Sequence, residues 1–323
     1  MTLSRRELFT LGGGLLIAST APARSASASV LRGSAFGTSW QLVTPEPVGQ
    51  SVLPAAIDAI IQSVDRAMSP FRPDSQISRF NRFPTTDWQP VSSGLSAVVD
   101  EALRVAAMTS GAFNPTVGPI VGRLGFGPIK GTVHGQAWEI ALQEGNVRKY
   151  RPGLSLDLCG VAKGHALDRM AAACEAHGLV DYLFELGGEV VAKGRHPAGR
   201  RWRIGIERPV PGPASLQQAV TLDGMALATS GNTINSYRVG GRRYSHIIDP
   251  AAGEPVDSAL VSVSVLANTA MRADALATAL FVMGSHKGPA FANEAGIDAL
   301  FLVKEGDTLR ETVTADFSAH AIF

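Results

Sequence analysis

The stretch Tyr182-Leu183-Phe184-Glu185-Leu186-Gly187-Gly188-Glu189-Val190-Val191-Ala192-Lys193 marks where the chain changes its period. Two runs of strand length, Tyr182–Leu186 and Val190–Lys193, flank the pair Gly187-Gly188. Upstream the period is helical. Lys163–His177 reads as a helix with Gly178 just beyond it, and Leu95–Thr109 as another, stopped at Ser110-Gly111 by a left-handed cap. Val52–Met68 places Ile57, Ile60, Ile61 and Val64 at helical spacing and tolerates Pro54 in its first turn. Downstream, Trp202, Ile204 and Ile206 alternate with Arg203 and Gly205, as in a half-buried strand. Tyr237–Val239 and Arg243–Ile248 flank Gly240-Gly241, a hairpin signal with glycines able to take positive φ. Val261–Ala267 alternates with Ser262 and Ser264, Ala270–Met283 returns to helix and ends at Gly284, and Ala299–Val303 is a further strand. Hairpin-joined strands with helices between the groups predict an α+β fold of mostly antiparallel or mixed sheets with flanking helices, not a doubly wound parallel sheet.

Composition agrees with a globular protein: of 323 residues, 45% are hydrophobic and 18% charged, enough to build a large core. That length admits two domains or one large one. A net charge of +1 carries no electrostatic footprint for nucleic acid. No repeat of solenoid period is present, and Pro209–Pro213 reads as a surface loop.

The N-terminus is a separate segment. Arg5-Arg6 precedes the apolar stretch Leu11–Ala18, and a small-residue tract follows, with Ala26-Ser27-Ala28 as the expected cleavage site. The stretch is shorter than the roughly 20 residues that cross a bilayer, so it reads as a signal peptide over residues 1–28. The twin arginine points to the Tat route; an ordinary Sec signal with two arginines is the other reading. No Cys follows the apolar stretch at the position for lipid attachment, so a soluble periplasmic protein is expected. Cys159 and Cys174 are the two cysteines; an exported protein could pair them, whereas cargo that folds in the reducing cytoplasm favours two free thiols.

Three groups could carry chemistry. In Asp157-Leu158-Cys159-Gly160-Val161-Ala162-Lys163-Gly164 an acid ends a strand and Lys163 opens a helix. Such an N-terminus offers N–H groups and a point charge to a phosphate; equally, Asp157 caps the helix and Lys163 is solvated. In Tyr244–Pro250, His246 stands before an Asp249-Pro250 turn, as a general base or as a residue packed beneath that turn. Asp274 and Thr278 are four apart on an apolar helix and share a face. They suit a hard cation such as Mg²⁺, or else complement the helix dipole and bond back to a carbonyl.

Order and wording go further than any single group. Met68–Ser75, Ile77–Asn81, Gly111–Pro119, Asp157–Gly164, Gly187-Gly188-Glu189, Thr229-Ser230-Gly231, His246–Pro250 and Ala273–Thr278 together resemble the ApbE family of FAD:protein FMN transferases, over roughly Gly33 to Val303. The resemblance implies an ApbE-like fold over 29–323 and an enzyme that binds FAD with Mg²⁺ and splits its pyrophosphate. FMN would then pass to a Thr or Ser of an acceptor flavoprotein, with release of AMP. It implies metal ligands at the Gly160 carbonyl and the Asp274 and Thr278 side chains. FAD contacts fall at Phe36, Phe71, Ala112, Phe113, Asn114, Asp157, Lys163 and Ile248, and His246 is the implied base for the acceptor hydroxyl. Phe71 stands where many members have Tyr, Asn114 where Asp is common, Cys159 where Ser is usual, and Gly160 where Ala or Ser is common. The implied acceptor is a membrane-associated electron-transfer flavoprotein. A periplasmic FAD carrier and an FAD pyrophosphatase are the competing readings.

Overall fold

Eight strands, each antiparallel to its neighbours, form the central sheet of the computed structural model. Their order is Ser29–Ala35, Thr38–Thr44, Tyr182–Leu186, Glu189–Lys193, Met225–Gly231, Leu260–Ala267, Asp298–Glu305 and Thr308–Thr314. The structure describes residues 28–322 apart from 49–51, 211–212, 214, 234–235 and 240–241. The expected signal peptide thus lies outside the described residues except for Ala28, as do Gly240-Gly241 and residues 211–212 of the 209–213 loop. Among the described residues no helix is long and apolar enough to cross a membrane.

Both faces of this sheet are covered, which the alternation of single strands does not reveal. On one face Val263, Val265, Ala299 and Phe301 pack against the long helices. On the other, Leu266, Leu300 and Leu302 meet a small antiparallel sheet of Trp202–Glu207, Leu216–Leu222 and Ala321–Ile322, together with Phe317. Trp202, Ile204 and Ile206 bury as their alternation predicts. Ser262 and Ser264 are buried as well, and the Ser264 hydroxyl meets Thr229 Oγ1 at 2.8 Å across the strand pair. Each fully buried Phe or Leu contributes about 1.5–3 kcal/mol, so the two-sided burial of the central strands is the main source of cohesion.

The helices follow the apolar spacing closely. Leu53–Met68 carries its Pro in the first turn, and Ser93–Met108 begins at Ser92, whose hydroxyl accepts the N–H of Leu95 at 3.3 Å. It stops where Ser110 and Gly111 take φ of 51° and 84°. Two helices differ from expectation. Cys159–Ala176 starts four residues before Lys163, because Asp157 accepts the Cys159 N–H at 3.0 Å and the chain turns helical at once, with a kink at Gly160. Ala270–Glu294 does leave helical geometry at Gly284 (φ 79°) but then resumes, so the glycine breaks the helix without ending it. The strand expected over Arg243–Ile248 is also divided: Arg242–Ser245 ends, His246 and Ile247 lie between, and Ile248–Asp249 pairs with Glu254–Pro255. Asp249 Oδ1 accepts the N–H groups of Ala251 and Ala252, which builds the turn locally.

Candidate active site

The site forms where Cys159–Ala176 and Ala270–Glu294 cross under the sheet. Their approach depends on Gly164: a Cβ there would lie 2.3 Å from the Ala270 carbonyl oxygen. Four residues further along, Asp168 accepts the N–H of Ala270 at 2.7 Å and of Met271 at 2.9 Å, so one helix caps the other. Thr269 adds a conventional cap through the Arg272 N–H. These two ties set the register between Gly160 and Lys163 on one helix and Asp274 and Thr278 on the other.

Gly160 departs from helical geometry at φ −85°, ψ 15°. A Cβ placed on it would lie 3.4 Å from Phe113 Cε2 and 3.5 Å from Thr278 Oγ1. Thr278 Oγ1 in turn lies 3.1 Å from Ser230 Oγ. Asp274 is buried, and its Oδ2 accepts the Gly164 N–H at 3.3 Å. Burial raises its pKa, against the opposing pull of Lys163 and that N–H. Lys163 pairs with Glu189. Burial alone would depress the Lys163 ammonium; the Glu189 and Asp274 carboxylates more than reverse this and hold its pKa raised. Glu189 is pushed up to about 7 by burial, with Lys163 opposing and Asp274 adding to the rise. Its second oxygen, Oε2, is buried without a hydrogen-bond partner among the described residues.

The implied metal ligands are therefore brought together, along with Phe113 and Lys163. All three donors are oxygens, which suits Mg²⁺ and not a soft ion. Among the described residues no three or more His, Cys, Asp or Glu side chains gather as a metal cluster, which leaves this mixed set of carboxylate, hydroxyl and main chain. The orphaned Glu189 Oε2 adds a buried acceptor beside it.

Other expected contacts have different settings. Asp157 serves the helix start through the Cys159 N–H, and its own N–H donates to the Pro115 carbonyl at 2.7 Å. The Asn114 side chain is engaged internally: Nδ2 donates to the Gly135 carbonyl at 2.9 Å, and Oδ1 accepts from the Thr116 N–H and hydroxyl. Ala112 lies beside it, half-buried. Phe71 is 60% exposed, an open ring available for stacking, while Phe36 sits at φ 52° and packs partly against the core. Ile248 is buried. The His246 ring lies 6.3 Å from that of Phe126, which stacks on Tyr237 and through it on Tyr244. Cys159 and Cys174 are free thiols, as expected. Sequence reading passed over Ser230, Glu189 and Asp168. The first two lie inside stretches already singled out, but their partners are far apart in the chain.

A family model described as the ApbE family matches residues 36–301. An FAD:protein FMN transferase from Klebsiella pneumoniae is 34% identical to this chain, covering 98% of it and 97% of the relative. One from Vibrio cholerae is 35% identical, covering 89% of this chain and 91% of the relative. The solved structure of the flavin transferase ApbE from Vibrio cholerae superposes with a TM-score of 0.83 at 35% identity, covering 91% of this chain and all of that one. The ApbE protein from Thermotoga maritima gives a TM-score of 0.80 at 26% identity, covering 92% of this chain.

Proposed function

This chain belongs to the ApbE family, and from that membership we propose that it is a Mg²⁺-dependent FAD:protein FMN transferase of the periplasm. It binds FAD, passes the FMN phosphoryl group to a Thr or Ser hydroxyl of an acceptor flavoprotein, and releases AMP. The acceptor is a membrane-associated electron-transfer protein with a domain facing the periplasm. Residues 1–28 form a Tat signal and 29–323 the transferase domain.

The observation that carries the reading is the meeting of Gly160, Asp274 and Thr278 at the helix crossing. At the kink the Gly164 N–H, which in an unbroken helix pairs with the Gly160 carbonyl, donates to Asp274. That arrangement supports a role for the Gly160 carbonyl outside the helix. Bound between these donors, Mg²⁺ would offset charge on the pyrophosphate and on the departing AMP. Lys163, held charged by Glu189 and Asp274, adds a fixed positive charge for the same phosphates. Phe71 offers an exposed face to a flavin or adenine ring. His246 takes the proton of the acceptor hydroxyl as its oxygen bonds to the FMN phosphorus and the bond to the AMP oxygen breaks.

Variants separate these roles. Asp274→Ala is expected to abolish Mg²⁺-dependent turnover of FAD, and full activity in that variant would remove the metal assignment. His246→Ala is expected to slow transfer about 100-fold or more while FAD binding persists; unchanged transfer would remove His246 as the base.

A further inference from the structure

We propose that Glu189 is an outer-shell partner of the metal, accepting a hydrogen bond through Oε2 from a metal-bound water while Oε1 holds Lys163 in place. The inference rests on the metal reading of Asp274, Thr278 and Gly160 given above and assigns a further residue to that site.

Glu189 is 3% exposed, and its two oxygens are unequal. Oε1 pairs with Lys163, and Oε2 is buried with no hydrogen-bond partner among the described residues. A buried carboxylate oxygen left without a donor is costly, and a donor that arrives with the ligand would satisfy it. Lys163 lies three residues after Gly160 on one helix face and pairs with Glu189, and the next residue, Gly164, donates its N–H to Asp274, so the Glu189 carboxylate stands beside the proposed donors. It is placed beside the first shell and not in it because its Oε1 is engaged by Lys163. Mg²⁺ bound by few protein groups keeps several waters, and each such water is a strong donor in need of an acceptor. A carboxylate beside the first shell meets that need.

The backbone fixes the position. Glu189 opens a central strand immediately after Gly187 and Gly188, which take φ of 59° and 103°. The Gly188 N–H donates to Glu185 at 2.8 Å, closing the turn.

The test uses Glu189→Gln, which keeps shape, and Glu189→Asp, which keeps charge, in the full chain. Mn²⁺, a hard divalent ion with the same ligand preference, is titrated and followed by the paramagnetic signal of the free ion, with Mg²⁺ as competitor. The expected result is metal binding weakened about 10-fold or more in Glu189→Gln. Part of the affinity should be restored in Glu189→Asp, which keeps the charge. Wild-type affinity in Glu189→Gln would overturn the inference while leaving the metal site standing. A fall in metal-free stability with no rescue by Glu189→Asp would overturn it in favour of a packing role. Failure of the wild type itself to bind Mn²⁺ or Mg²⁺ would overturn both.

Discussion

Between Lys163 and Asp168 the helix buries His165, whose Nε2 has no hydrogen-bond partner among the described residues. Burial, with a smaller contribution from Arg169, lowers its pKa to about 4, from an unfolded value of 6.5. The folded state thus favours the neutral ring. The associated stability is fully present above pH 6.5 and is lost as pH falls through 4, an effect of up to about 3 kcal/mol. Asp168, raised to about 6 chiefly by burial, acts in the opposite sense in this window, so a comparison with a variant is needed. His165→Phe is expected to flatten the fall in melting temperature between pH 6.5 and 4; an unchanged slope would contradict the assignment. Asn114 offers a second prediction. The resemblance placed it at the flavin, where Asp is common, but its Nδ2 donates to the Gly135 carbonyl. Asn114→Asp removes that donor and sets a carboxylate against a carbonyl, so it should lower stability by about 1–3 kcal/mol in chemical denaturation. A neutral result would mean that this bond contributes nothing. Residue types at this scale were legible in the sequence. Partners such as Thr278 with Ser230 or Lys163 with Glu189 were not, because each pair is joined only through the folded sheet.

Helix spacing was read from apolar period and stop signals, and the helices fall close to where that reading put them. What period does not encode is how two helices cross. The contact between Cys159–Ala176 and Ala270–Glu294 is set by one glycine, Gly164, and by the Asp168 carboxylate reaching across to the other helix. Gly164→Ala would press a methyl group onto the Ala270 carbonyl, and relief requires the helices to separate. A loss of about 1–3 kcal/mol is expected, with a larger fall in Mg²⁺-dependent turnover than in FAD binding, because Gly160 and Thr278 would part. Equal effects on both, or none, would show that the crossing does not set the site. The strand around His246 is divided because it changes partner there: Arg242–Ser245 pairs with Ser236–Val239, whereas Ile248–Asp249 pairs with Glu254–Pro255.

At the scale of the whole molecule, alternation in Trp202–Ile206 and the serines of Val261–Ala267 indicated an antiparallel sheet with helices, and the eight-stranded sheet agrees. Its two-sided cover was hidden. Buried serines read as a polar face, and the small sheet is closed by Ala321–Ile322, two residues whose pairing with Val220 and Ala219 no local pattern announces. This layering leaves one end of the helix crossing to hold Lys163, Asp274 and Thr278 together, the place proposed for group transfer. Transfer is tested by incubating the protein with FAD, Mg²⁺ and an acceptor domain carrying a candidate Thr, then analysing the acceptor by denaturing gel fluorescence and mass spectrometry. The expected product is FMN bound covalently to that Thr, dependent on Mg²⁺ and accompanied by AMP. Free FMN with an unlabelled acceptor, the outcome of hydrolysis, or FAD recovered intact, the outcome of carriage, would contradict it.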